Sequence, residues 1–380
     1  MKKICFCTTI PLTIRAFILK SAEYLHEHTD WDISFVCDYD EEFKNSLPGY
    51  FHYYPVKMKR GVSPDGLAAV RQMKKIFKRE KFDMVQFSTP NAAFYASIAA
   101  KRAGIPVRNY HLMGLRYMGA KGKGRAVLKK MDKLACKNAT AIECVSRSNL
   151  ELGIKEGLFP PEKATVVWNG STGGVDLKRF DYKKREEWRA DIRRELGINK
   201  DDFVFGFVGR LNKDKGVNEL LRAFIETERG AKLLLIGFDS EIDTLDQSLL
   251  TQAKERKDII FHSSVSDIER YYAALDVLVL PSYREGFGNV VIEAAAVGTP
   301  AIVSDIPGPM DAIIRGKTAL AVKPGDYPEL KTAMEDIRKL DCRSMGNDAF
   351  KYVESHFDSE ILFEKILERK RALLAEATDG

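Results

Sequence analysis

Short runs of β-branched and aromatic residues alternate with longer segments of helical periodicity along the whole of this 380-residue chain. Such alternation marks a parallel sheet covered by helices on both faces, because parallel strands need a long crossover and a helix usually supplies it. In the first half, strands are expected at 3–7, 33–37, 84–87, 107–110 and 141–145. Between them, Leu67, Val70, Met73, Ile76 and Phe77 recur at three- and four-residue spacing, and an alanine-rich helix over 92–103 is closed by Gly104 and Pro106. The second half repeats the plan, with strands at 203–208, 232–236, 259–261, 277–280, 301–303 and 319–322. Small and turn-forming residues cluster from Trp168 to Gly174. A chain of this length exceeds what one core usually serves. The expected fold is therefore α/β, with two Rossmann-like doubly wound domains and a deep cleft between them. The first domain is expected over 1–168, a hinge over 169–180, the second domain over 181–343 and terminal helices over 344–380, packing back on the first domain. Ligands of such sheets bind at the carboxyl ends of the strands, so the chemistry belongs in the loops that follow them.

Six cysteines at 5, 7, 37, 136, 144 and 342 show neither a CxxC pair nor the spacing of a zinc site or a disulfide framework. No apolar run approaches the roughly 20 residues that span a bilayer. The amino terminus begins like a signal peptide, but Pro11 and Arg15 interrupt its apolar run. These features point to the cytoplasm, with any attachment to the inner face of the membrane being peripheral. The net charge of +6 divides unevenly, with +13 in residues 1–150 and −7 in the remainder. Ten basic residues lie between Lys101 and Lys133 against the single acid Asp132. Arg116, Lys121, Lys123 and Arg125 are the candidates there for phosphate groups or for an anionic membrane surface. The alternative is a solvated face. No nucleic acid is expected as a partner.

Two loops carry candidate chemistry. After the strand 203–208 comes Gly209-Arg210-Leu211-Asn212-Lys213-Asp214-Lys215-Gly216. A diphosphate leaving group gains negative charge as its glycosidic bond breaks, and fixed Arg210 and Lys215 charges stabilise it where it forms. After the strand 277–280, the run Glu285-Gly286-Phe287-Gly288-Asn289-Val290-Val291-Ile292-Glu293 leads into a small apolar helix. Gly286 and Gly288 let a ligand approach the backbone, and either Gly288 or Asn289 is placed to cap a helix whose free N–H groups suit phosphates. Glu285 and Glu293 are suited to accept hydrogen bonds from sugar and ribose hydroxyls.

These motifs together resemble those of the retaining enzymes of glycosyltransferase family 4: Gly-Arg…Lys-Gly at 209–216, the Glu285/Glu293 pair, and Asn169-Gly170 with Gly174-Val175-Asp176…Arg179-Phe180. The resemblance spans most of residues 140–325. It implies the two-domain GT-B architecture, a UDP- or GDP-linked sugar donor that is a substrate and not a cofactor, retention of anomeric configuration and no metal requirement. By residue it assigns Arg210 and Lys215 to the diphosphate, Glu285 to the transferred sugar and Glu293 to the ribose, with Gly209, Gly286, Phe287, Gly288, Asn289 and Val290 completing the donor site.

The first half fits the family less closely. Relatives carry a glycine-rich loop after the first strand, where this chain has Thr8-Thr9-Ile10-Pro11. They also place a histidine after the strand matching 107–110, and His111 is the candidate, although alignment through Gly114 puts Met113 in that place. The segment 114–117 with its basic continuation resembles the acceptor side of enzymes that build bacterial capsule or O-antigen polysaccharides on a lipid diphosphate. The expected activity is thus transfer of a hexosyl or N-acetylhexosaminyl group to a glycan or lipid-linked saccharide. A sugar-nucleotide epimerase, a phosphorylase and a non-catalytic sugar-binding protein are the alternatives. Asp38-Tyr39-Asp40 has the Asp-x-Asp form used to hold a metal on a diphosphate, but it runs on into Glu41-Glu42 and is read as a solvated acidic turn.

Overall fold

The computed structural model describes residues 1–58, 65–227 and 230–378. It divides into two compact units, Met1–Gly173 together with the chain from Glu360 onward, and Gly174–Ser359.

In the first unit, β1 (Lys3–Cys7), β2 (Asp32–Cys37), β3 (Phe51–Pro55), β4 (Met84–Ser88), β5 (Val107–Leu112), β6 (Ala141–Cys144) and β7 (Ala164–Val166) form one parallel sheet in the order β3-β2-β1-β4-β5-β6-β7. Strand periodicity sorts its side chains between two cores. Cys5, Cys7, Val85 and Phe87 face one layer of helices, while Ile4, Phe6, Met84, Val107 and Ala141 face the other. The helix Ser359–Glu376 covers the second face, contributing Leu367, Leu373 and Leu374 to that core. Each leucine contributes about 1.5–3 kcal/mol on full burial, which favours that packing.

The second unit repeats the order one register later: β8 (Phe203–Val208), β9 (Ala231–Ile236), β10 (Ile259–His262), β11 (Val277–Leu280), β12 (Ala301–Ser304) and β13 (Ala319–Val322) stand as β10-β9-β8-β11-β12-β13, all parallel. In each sheet the order reverses once, between β1 and β4 and between β8 and β11. Those crevices are where ligands of open α/β sheets bind.

The structure revises two boundaries. The division falls between Gly173 and Gly174, and the supposed hinge residues beyond it belong to the second unit. There Val175 donates its N–H to the Phe357 carbonyl at 2.7 Å and accepts from the Ser359 N–H at 2.9 Å, so the outgoing and returning chain lie side by side. Of the terminal helices, only Ser359–Glu376 packs on the first unit. The helix Cys342–His356 stays with the second, where the backbone at Gly346 comes so near the Gly298 carbonyl that an added Cβ would lie 1.9 Å from it. Strands β3 and β7 are additions to the sequence reading. Each ends its sheet; β3 stops at Pro55, and β7 is three half-buried residues, so neither carries the apolar run of a central strand.

Candidate active site

The loop after β8 lies between the loop after β9 and the loop after β11, and hydrogen bonds fasten it to both. On the β9 side, the Leu211 N–H donates to the Phe238 carbonyl at 2.9 Å and the Lys213 N–H to Thr244 Oγ1 at 3.2 Å. Gly237 permits this proximity, since a Cβ there would meet the Gly209 carbonyl oxygen at 1.7 Å. On the β11 side, the Tyr283 N–H donates to the Asp214 carbonyl at 2.9 Å and Arg284 Nη2 to Asp214 Oδ2 at 2.6 Å. Gly216 closes the loop in a left-handed conformation (φ +70°), and a Cβ there would stand 2.1 Å from the Pro281 carbonyl oxygen. Only glycine fits, because both the conformation and the space exclude a side chain.

This frame sets the predicted cations. Lys215 Nζ donates to Glu285 Oε1 at 2.5 Å, and Ser282 Oγ donates to the same oxygen at 2.8 Å. The pair is largely sheltered, at 22% and 12% side-chain exposure. Arg210 lies on the other flank, its Nη1 donating to both carboxylate oxygens of Glu241 at 2.7 and 2.8 Å. Lys215 and Glu285 are thus brought into contact across the switch point, whereas Arg210 has a partner, Glu241, that the sequence reading did not single out. Asn212, Asp214 and Ser282 were also passed over. Their roles depend on contacts between loops that no local spacing reveals.

Gly288 (φ +95°) is the N-cap of the helix Asn289–Ala296, without a side-chain cap hydrogen bond. Asn289 and Val290 in its first turn keep part of their surface, as does Gly286 before it. Glu293, one turn in, accepts from the Tyr272 hydroxyl at 2.8 Å through Oε2 and keeps part of its surface accessible. Burial pushes its carboxyl up from the ordinary range, against the opposing Tyr272 hydrogen bond and the Arg179 charge. Phe287 departs from the expectation. Its ring is 2% exposed and packs edge-on against Phe357 at 5.3 Å, so only its backbone remains for a ligand.

The corresponding crevice in the first unit is uncharged at its centre. Thr9 Oγ1 and Thr89 Oγ1 share a hydrogen bond of 2.8 Å across β1 and β4, and Thr8 Oγ1 donates to the Ile10 carbonyl at 2.9 Å. Those hydroxyls make hydrogen bonds within the protein. His111, near the end of β5, has Nδ1 3.2 Å from Ser88 Oγ on β4. Burial lowers its pKa to about 4, with Glu143 opposing and Lys370 reinforcing the shift, so the ring is neutral near pH 7. His111, Gln86, Glu143 and Lys370 line a cavity of about 30 Å³ with Ser171 and Thr172.

Residues 17–172 match the family described as Glycosyltransferase Family 4, and residues 189–352 match the glycosyl transferases group 1. The capsular polysaccharide biosynthesis glycosyltransferase CapM of Staphylococcus aureus is 33% identical over 356 residues, covering 91% of both chains. The chain is a family 4 glycosyltransferase. Among other relatives of the transferase, the N,N'-diacetylbacillosaminyl-diphospho-undecaprenol alpha-1,3-N-acetylgalactosaminyltransferase of Campylobacter jejuni is 28% identical over 302 residues, covering 74% of this chain and 76% of that one. The fold is shared with Anabaena HepE in complex with UDP-glucose, at a TM-score of 0.78 and 20% identity over 98% of this chain and 100% of that one. The transferase is accordingly GT-B in class.

In this glycosyltransferase the basic run forms the 3-10 turn Arg116–Gly119 and the helix Gly122–Asn138. Arg125 is held by Glu156 at 3.7 Å and lies over the Tyr117 ring, so it serves the fold as well as the surface. Lys121, Lys123, Lys130, Lys133 and Lys137 are exposed, and exposed Val127 and Leu134 lie between them. Asp132, the one acid of the run, is 2% exposed, and Glu156, from outside the run, pairs with Arg125 and Lys129. Among the described residues no helix is long and apolar enough to cross a membrane. The Asp38-Tyr39-Asp40 turn serves the fold, because Asp40 caps the helix Glu41–Ser46, its Oδ1 accepting from the Phe43 N–H at 2.6 Å.

Proposed function

We propose that the chain transfers a hexosyl or N-acetylhexosaminyl group from a UDP-sugar to a lipid-diphosphate-linked saccharide of a bacterial surface polysaccharide, with retention and without a metal. The carrying observation is the Lys215–Glu285 pair at the β8/β11 switch point, with Arg210 on the same loop. In this reading Lys215 and Arg210 hold the diphosphate, with Gly209, Gly286, Gly288 and the first turn of the helix Asn289–Ala296 offering backbone to it. Glu285 accepts from hydroxyls of the transferred sugar and Glu293 from the ribose. The acceptor oxygen forms its bond to the anomeric carbon on the face from which the diphosphate departs. The acceptor proton passes to a diphosphate oxygen, and UDP leaves. His111, as a neutral imidazole, hydrogen-bonds a saccharide hydroxyl.

The relatives' names support the UDP donor and the lipid-linked acceptor: CapM acts in capsule synthesis, the C. jejuni enzyme on an undecaprenol-linked sugar, and HepE binds UDP-glucose. The exposed stripe of Lys123, Val127, Lys130, Leu134 and Lys137 supports peripheral attachment to anionic lipid, because interleaved basic and apolar side chains suit both the headgroups and the acyl boundary. Calorimetry with UDP, GDP and ADP tests the donor, with UDP expected to bind most tightly. Proton NMR of the product tests retention, and activity in excess chelator tests metal independence. Conversion of the donor without an acceptor into an epimer would overturn the transfer reading.

A further inference from the structure

We propose that Glu241 and Asn212 form a bracket that positions the donor-side cations, with Glu241 aiming Arg210 at the diphosphate; this rests on the donor reading above. Glu241 belongs to the loop after β9, outside both motif loops. Its carboxylate holds one end of the arginine: Nη1 reaches Oε1 and Oε2 at 2.7 and 2.8 Å. Among the described residues, Arg210 Nε and Nη2 make no hydrogen bond, and the side chain is 40% exposed. A guanidinium is a rigid planar fork, so fixing one terminal nitrogen sets the direction of the edge carrying Nη2 and Nε. That edge remains for two phosphate oxygens.

Asn212 connects this tie to the lysine. Its Nδ2 donates to Glu241 Oε2 at 2.5 Å, while its Oδ1 accepts from the Lys215 N–H at 3.0 Å. One buried amide thus fixes the backbone that carries Lys215 and the carboxylate that carries Arg210. The Thr244 hydroxyl, donating to the Glu241 carbonyl at 2.7 Å, secures the main chain on which the carboxylate stands. Glu241 is a positioning residue, acting through Arg210 and not on the donor itself.

The test is calorimetric titration of full-length wild type, Glu241→Ala, Glu241→Gln and Arg210→Ala/Glu241→Ala with UDP and with uridine. Glu241→Ala is expected to weaken UDP about tenfold and leave uridine unchanged, since a guanidinium without its anchor must be ordered by the ligand. Glu241→Gln keeps one acceptor for Nη1 but sets an amide N–H against Asn212, so its UDP affinity falls between the two. In the Arg210→Ala background, adding Glu241→Ala brings no further loss. Tighter UDP binding by Glu241→Ala would overturn the bracket by showing that the carboxylate competes with the diphosphate. Equal losses for UDP and uridine would overturn it in favour of a general loop defect, and unchanged UDP binding would show that Glu241 aims nothing. If wild type binds no UDP, the donor reading and the bracket fall together.

Discussion

The two sheets share one strand order, yet their switch points are built from opposite materials. In the second unit, Arg210, Lys215, Glu241 and Glu285 are drawn into two ion pairs by loops that glycines allow to touch. In the first, the crevice is closed by a threonine pair, and Lys370 and Glu143 are withdrawn into the core at 3% and 6% side-chain exposure. Charge near a surface can be re-partnered by a ligand, whereas charge deep inside is fixed by the cost of leaving its partner uncompensated. The same topology therefore yields an electrostatic site in one unit and a structural polar lock in the other.

Lys370→Met is the severest test of the structural side. Lys370 Nζ donates to Gln86 Oε1 at 2.6 Å and stands 3.7 Å from Glu143 Oε2, and its loss leaves a buried carboxylate to the more distant Arg369 at 4.0 Å. A loss of about 3–5 kcal/mol is expected in chemical denaturation, with much of it restored by adding Glu143→Gln. If stability held and turnover fell instead, the lock would have to be read as part of the chemistry.

Lys215→Ala probes the electrostatic side. Removing one fixed donor from developing charge costs turnover about 10²–10³-fold, or roughly 3–4 kcal/mol, while folding is little altered. Steady-state kinetics with saturating donor should show the loss in kcat more than in KM. Gly216→Ala sharpens the role of the frame. The left-handed backbone and the approach to the Pro281 carbonyl together predict a loss of about 2 kcal/mol or more, read as a lower melting temperature.

His111 and Glu293 separate the units by pH. The folded pKa of His111 lies at about 4, below its ordinary value of 6.5, so the unfolded chain binds more protons between those values. Stability then falls as pH drops through that window, by roughly 1–3 kcal/mol, and His111→Gln should flatten the fall. Glu293 has the opposite sign: its raised pKa makes the folded state hold a proton that the unfolded chain has released, so its contribution declines as pH rises above the ordinary carboxylate value. Glu293→Gln should remove that small slope while weakening UDP binding. Loss of stability without a change in affinity would reassign Glu293 to the fold.

What could be read from the sequence follows the range of the interactions. Central strands such as 203–208 and 277–280 were legible to the residue, because burial on both faces writes a continuous apolar run. The Lys215–Glu285 pair was foreseeable as two motifs, each adjacent to a strand end. Glu241 was not: it lies 31 residues from Arg210, in a loop without periodicity, and their meeting depends on β8 and β9 being neighbours. Lys370 was further out of reach, since the residue it holds, Gln86, is 284 positions away and nothing around either one marks a partner.

The return of the last helix to the first unit has a consequence for biosynthesis. A ribosome delivers Met1–Gly173 early, but Leu367, Lys370, Leu373 and Leu374 emerge only after the entire second unit has been made. Until then Ile4, Phe6, Met84 and Val107 lack the leucines that cover them, and Glu143 lacks its lysine. Exposed apolar surface of that kind is what makes nascent chains depend on chaperones. The first half of this molecule is thus the first to be synthesised and the last to be completed, and a chain cut short before residue 360 would carry the second unit beside a first unit that lacks part of its core.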